Sequence, residues 1–311
     1  MADTEPGSGS SRPWVVLVNR RAGKRGRTSS VVLEALASEG ISARIHAPAT
    51  REEGMRIARD LAGEKVIVAT LGGDGTAHDI GTQLVGGEAW LAVLPGGTEN
   101  LIGRSAGIPS HCPAAVKSLL AARPVRWDVG VLGSHLFLGI AGIGLDGEAC
   151  SRVEGAWREK VGQTGYWLSV FGLLAKKPKI CTVKCDGAMQ QQVQQVVFSN
   201  VPLYGGGLAM NPAASPTDGL LDIAVFPWKG YVHRPLQFFP LFSDSRLGRF
   251  FDPLRIRSHR ASVEGEGGLP AHVDGEPCIV ENPVASVRPG ALWVLQVGPP
   301  VGRGAGRRPV R

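Results

Sequence analysis

The hydrophobic pattern changes character once along the chain. Up to about Arg123, continuous apolar runs alternate with stretches of helical period. "WVVLVN", "ARIHAP", "KVIVAT" and "WLAVLP" read as strands, and "SSVVLEALASEG", "TREEGMRIARDLAG" and "TAHDIGTQLV" as the helices between them. Gly40 stops the first helix, and Thr50 is placed to cap the second by offering its hydroxyl to a free backbone N–H. Strands without polar alternation are buried on both faces, so the first part predicts a parallel sheet covered by helices.

After Arg123 the runs shorten and often alternate: "VRWDVGVL", "HLFLGIAGIG", "KICTVKC", "QQVQQVVFSN", "LLDIAVF", "LRIRSHRASVEG", "PAHVDG" and "ALWVLQVG". Gly, Pro and Asp separate them. Such a pattern predicts an antiparallel β-sandwich. Two helical inserts are expected, over about 149–175 and 231–242. The resulting plan is a disordered leader over 1–12, a Rossmann-like α/β domain over 13–124, a β-sandwich over 125–298 and a basic disordered tail over 299–311. The last strand, "ALWVLQVG", is also a candidate to return to the first domain.

Composition narrows the class without fixing it. Hydrophobic residues make up 43% and charged residues 20% of the 311, values of an ordinary globular protein. The N-terminus "MADTEPGSGSSRP" lacks the apolar core of a secretory signal. The five cysteines form no CxxC pair and no zinc spacing, which fits a reduced, cytoplasmic chain. The net charge of +7 is concentrated in "NRRAGKRGR" and "GRGAGRRPVR". These stretches suit phosphate or an anionic membrane surface, or simply solvated loops. Without aromatic interleaving or a recognisable motif, they do not indicate a nucleic-acid partner.

The loops leaving the predicted strands carry the chemistry. In an open parallel sheet, ligands bind beyond the carboxyl ends of the strands. Three loops leave such ends: Asn19-Arg20-Arg21-Ala22-Gly23, Gly72-Gly73-Asp74-Gly75-Thr76, and "PGGTEN" from Pro95 to Asn100. Glycine lets backbone N–H groups approach a ligand closely, and N–H groups ending at a helix N-terminus attract anions. Three such loops at one edge could wrap a triphosphate. A tight Asp-Gly turn accounts for the second loop equally well. The carboxylate of Asp74 is the informative detail, because a bare acid repels phosphate unless it holds Mg2+ or ordered water.

"GGDGT" followed in order by "GTEN", "WDVG", "TDGLLD" and "VDGEP" resembles the diacylglycerol kinase catalytic-domain family, which includes bacterial diacylglycerol and YegS-like lipid kinases and the sphingosine and ceramide kinases. The resemblance runs from about Pro13 to Gly298. It implies an ATP-binding α/β domain and a lipid-binding β-sandwich. It also implies roles: nucleotide contacts at Asn19 to Gly23, Thr50, Gly72 and Gly73 to Asp79 (Ala77 and His78 included); Asp74 at the phosphate–Mg2+ centre; Thr98 and Asp128 in a polar network with it. Glu276 would be the general base. Ser215, Asp218 and Leu220 match a structural Mg2+ site.

Three positions depart from the family pattern. "NRRAG" lacks the usual proline and serine, His78-Asp79 replaces Asn-Glu, and Leu101 stands where a second acid is common. The expected activity is transfer of a phosphoryl group from ATP to a lipid hydroxyl, at the inner face of the membrane and with a homodimer as a possible form. Two other readings share some of these features. One is an NAD-kinase type of small-molecule kinase, which also has GGDGT; the other is a lipid-binding regulator without catalysis. The mixed apolar and basic stretches 158–179 and 231–251 are candidates both for lipid contact and for packing against the sandwich.

Overall fold

In a computed structural model of the chain, the described residues are 12–20, 27–152, 172–173, 176–185, 189–205, 210–228, 230 and 253–298. They form two compact units: 1–129 with 215–218 and 289–311, and 130–214 with 219–288.

The first unit follows the predicted alternation. β1 (Trp14–Val18), α1 (Arg27–Ser38), β2 (Ala43–His46), α2 (Arg51–Leu61), β3 (Ile67–Gly72), α3 (Asp74–Gln83) and β4 (Trp90–Pro95) come in that order. α4 (Leu101–Ser105) and α5 (Cys112–Leu120) follow before β5 (Arg123–Leu132). The sheet is parallel, with β1 between β2 and β3, and β4 beyond β3. Crossovers between parallel strands are right-handed, so reversing direction after β2 sends α2 and α3 to the face opposite α1. The packing agrees: α2 lies against α3, and α1 against α5. Val15, Val16, Ile67, Val68, Leu91 and Leu94 have no exposed surface. Each buried aliphatic side chain of this kind stabilises by about 1.5–3 kcal/mol.

The second unit is antiparallel. It holds β6 (His135–Phe137), β7 (Ile140–Gly144), α6 (Leu145–Arg152), β8 (Cys181–Cys185), β9 (Met189–Ser199), β10 (Leu221–Pro227), β11 (Leu254–Ser258), β12 (Arg260–Gly265), β13 (Leu269–Val273) and β14 (Glu276–Val280). β9 carries most of the pairing: its first half pairs with β8 and its second half lies between β7 and β10. Phe137, Ile143, Val183, Phe198, Ile223 and Val263 share one core. This is the β-sandwich of the sequence reading. Most of the expected insert 149–175, and the whole of 231–242, lie outside the described residues.

β15 (Val284–Gln296) is longer than its sequence signal, which began at Ala291. Its first part pairs with β12, Ser286 opposite Arg260. Its last part lies parallel to β4, Trp293 opposite Trp90. Arg12 stacks over Trp90 at 3.9 Å and Arg126 over Trp293 at 4.4 Å. Trp127 Nε1 donates to Gln296 Oε1 at 2.8 Å.

Candidate active site

The strand order makes β1 and β3 the point where successive connections run in opposite directions, which is where an open α/β sheet binds ligands. The loops after these two strands are tied together there. Asn19 Nδ2 donates to Thr76 Oγ1 at 2.9 Å, and the Asn19 N–H to the Leu71 carbonyl at 2.9 Å. The third loop closes on the second, with the Gly96 N–H on the Gly72 carbonyl at 2.8 Å.

These loops need glycine for space. A Cβ on Gly72 would sit 2.4 Å from Thr76 Oγ1, and one on Gly97 would sit 2.6 Å from the Cα of Gly73. Gly73 caps α3 without a side chain, so the first-turn N–H groups of that helix are not covered by a capping side chain. Asn100, in the left-handed region at φ +49, clasps the third loop from both ends: its Oδ1 accepts from Gly97 N–H at 2.9 Å and its Nδ2 donates to the Gly97 carbonyl at 2.8 Å. Asn100 and Gly97 thus shape this loop, and the sequence reading quoted them inside a motif without assigning them a part.

Asp74 stands half-buried in the first turn of α3, where the helix dipole favours an acid. One of its oxygens accepts the Ile102 N–H at 3.0 Å, so it holds the start of α4. Asp79 is buried and forms an ion pair with Arg51. Thr50 caps α2, its Oγ1 accepting the Glu53 N–H at 3.2 Å. Ala77 is fully buried and His78 partly so. Arg20 is exposed and donates from Nε to the Ala47 carbonyl at 3.0 Å; Arg21, Ala22 and Gly23 lie outside the described residues. Thr98 is exposed and makes no hydrogen bond to Asp74 or Asp128. Asp128 is buried; its Oδ1 accepts the Gly290 N–H at 2.8 Å, anchoring β15 where glycine adopts φ +57.

Ser215 and Asp218 belong to a four-residue segment that clusters with the first unit, while Leu220 belongs to the second. Ser215 Oγ lies 3.2 Å from Thr217 Oγ1, and the Pro216 carbonyl accepts the Asp128 N–H.

In the second unit, Glu276 opens β14, half-buried, opposite Val273. The intervening Asp274 and Gly275 both have positive φ, +47 and +84, as a two-residue hairpin turn with the primed geometry requires. The Asp274 carboxylate binds three successive backbone N–H groups: Leu138 at 2.7 Å, Gly139 at 2.8 Å and Ile140 at 2.8 Å. Its own N–H donates to the Ile140 carbonyl at 2.8 Å. The dipeptide announced the turn, but nothing local announced the partners of its carboxylate.

A buried network adjoins this turn. His272 Nδ1 accepts the Gly275 N–H at 3.3 Å, which places the ring proton on Nε2, 2.8 Å from Asp146 Oδ2. The Tyr204 hydroxyl donates to Asp146 Oδ1. Cys150, one helical turn after Asp146 on α6, brings its sulfur within 4.8 Å of the His272 and Asp146 ligand atoms. By type these donors suit a metal ion. Here they are joined by hydrogen bonds, with His272 Nε2 on Asp146 and Nδ1 on the Gly275 N–H.

Residues 13–132 match the family model described as the diacylglycerol kinase catalytic domain, and 139–296 the one described as the YegS C-terminal NAD kinase beta sandwich-like domain. A Pseudomonas putida protein named "Probable lipid kinase YegS-like" is 31% identical over 246 residues, covering 77% of this chain and 80% of its own. A protein of the same name from Pseudomonas aeruginosa is 31% identical over 301 residues, 92% of this chain and 95% of its own. The crystal structure of a diacylglycerol kinase from Bacillus anthracis strain Sterne superposes with a TM-score of 0.75 at 21% identity, over 92% of this chain and 97% of that one. At that identity the likeness speaks for the fold.

Proposed function

The chain belongs to the diacylglycerol kinase family, and we propose that it uses ATP with Mg2+ to phosphorylate the hydroxyl of a lipid, either a diacylglycerol, a sphingoid base or a related alcohol. The observation that carries this reading is the meeting of the glycine loops where the sheet changes direction: Asn19 on Thr76, and Gly73 against Gly97 with no room for a Cβ. Such a cradle of bare peptide fits a chain of phosphates better than any side-chain-lined pocket would.

The residues present fit a nucleotide and its metal ion. The first turn of α3, which no side chain caps, and the loop at Gly97 would hold phosphate oxygens. Thr50 and Asn19 are proposed as further nucleotide contacts. Asp74 is the acid beside them, and Mg2+ held there would neutralise charge on the transferred group. Ser215, Asp218 and Leu220 are proposed for a second, structural Mg2+.

Phosphoryl transfer asks a protein for positioning and charge stabilisation. Glu276 is proposed to accept the proton of the lipid hydroxyl; that oxygen bonds to the γ-phosphorus as the bond to the β–γ bridging oxygen breaks, leaving ADP. Asp74 and Asp128, each engaged with a backbone N–H, are fixed acids that do not need to reorganise during the step. The expected place of action is the cytoplasmic surface of a membrane, reached from outside the bilayer: no described helix is long and apolar enough to cross one. Self-association into a homodimer belongs to the same proposal.

Purified protein incubated with radiolabelled ATP, Mg2+ and mixed micelles of diacylglycerol, sphingosine, ceramide and phosphatidylglycerol should yield organic-soluble label. Label on added NAD instead, or micelle binding without label, would overturn the reading. Glu276→Gln should leave ATP binding intact and lower kcat by at least ~10², the usual worth of a general base.

A further inference from the structure

We infer that His272 is a positioning residue for Glu276, held in one tautomer by Asp146 and Tyr204; this rests on the assignment of Glu276 as the base. The chain of contacts is continuous and buried. The Tyr204 hydroxyl and His272 Nε2 each donate to a different oxygen of Asp146, leaving His272 Nδ1 as an acceptor for the Gly275 N–H. Gly275 is the residue immediately before Glu276. Its φ of +84 is a conformation that few other residues hold, so the peptide entering Glu276 has little freedom once its N–H is fixed.

The other side of the turn is held independently, by Asp274 on the amides of Leu138, Gly139 and Ile140. The turn is therefore pinned from two directions, through separate elements: the link between β6 and β7 on one side, α6 on the other. Tyr204, Asp146 and His272 expose 4%, 1% and 2% of their surface. They are too buried to meet solvent, and a buried carboxylate is kept only where donors satisfy it. A network of this kind would be unnecessary for a plain hairpin, which the Asp-Gly pair already closes. It is what a base requires if its carboxylate must be placed within a fraction of an ångström of a reacting hydroxyl.

The test is a double-mutant cycle on the intact protein, using whichever micellar acceptor takes label. His272→Gln should lower kcat about tenfold, the scale of a sub-ångström misplacement, with the KM for ATP nearly unchanged. Tyr204→Phe, which keeps the ring and removes one donor, should lower kcat about threefold and serves if the His272 variant does not fold. In a Glu276→Gln background neither change should lower kcat further, because both act through that carboxylate. If His272→Gln and Tyr204→Phe leave kcat unaltered, or reduce it by the same factor in both backgrounds, the positioning role is overturned while Glu276 stands as the base. If Glu276→Gln alone keeps full kcat, the base assignment falls and the positioning role with it.

Discussion

Five aspartates in this protein precede a glycine, and at two of them, Asp74 and Asp274, the carboxylate reaches well beyond its own turn. Asp74 accepts the Ile102 N–H that begins α4, and Asp274 accepts three amides from 138 to 140. Asp74 therefore has a structural task in addition to the one proposed beside the phosphates, and the two can be separated by substitution. Asp74→Asn retains an oxygen for Ile102 but loses the charge. Asp74→Ala loses both, at a cost of about 1 kcal/mol, as for other capping side chains. Both variants should lose turnover by at least ~10², and only the alanine variant should melt measurably lower. Thermal melts beside turnover assays check this. Near-normal turnover in Asp74→Asn would show that the charge is dispensable and would remove Asp74 from the phosphate site.

At the scale of elements, the alternation of apolar runs and helical periods was enough to locate β1 to β4 and the helices between them, and Thr50 caps α2 as its hydroxyl allows. α4 has only 5 residues, too few for a periodic signal, and α5 carries Pro113 in its first turn after a short loop. β15 was underestimated because Pro289-Gly290 reads as a break, whereas the chain continues as strand through it. The loops at the sheet edge were legible as glycine-rich and as neighbours; their closures were not. The Arg51–Asp79 ion pair and the hydrogen bond from Asn19 to Thr76 join residues 28 and 57 positions apart, and no local pattern reports them. The backbone approach of Gly97 to Gly73 gives the sharpest consequence. Gly97→Ala would put a methyl 2.6 Å from the Gly73 Cα, so the two loops must separate. ATP affinity should drop by about tenfold or more, on the order of 1.4 kcal/mol, while the far-ultraviolet circular dichroism is retained. An unchanged Kd by titration calorimetry would mean that the loops do not form the phosphate cradle.

For the whole molecule, the chain visits its first unit three times, over 1–129, 215–218 and 289–311. Asp128 marks this interleaving, holding the amide of Gly290 and donating its own N–H to Pro216. Neither unit is a continuous stretch of sequence, so the second cannot be excised whole and its integrity has to be followed inside the full protein. Cys181 offers a reporter. It lies in the sandwich core, on β8, and burial pushes its thiol up to about 11 from 9.0. A thiol whose folded pKa exceeds its unfolded one keeps its proton longer in the folded state. The associated stability is fully present below about 9 and is lost as pH rises toward about 11, where the loss amounts to roughly 2–3 kcal/mol at 1.36 kcal/mol per unit. Urea midpoints should therefore fall between pH 8.5 and 10.5 in the native protein and fall less in Cys181→Ala. At pH 8 iodoacetamide should leave Cys181 unmodified in the folded protein and modify it in urea, since only the exposed thiolate reacts. Alkylation at equal rates in both conditions, read by mass spectrometry of the Cys181 peptide, would place this strand outside a closed core and undo the account of the second unit.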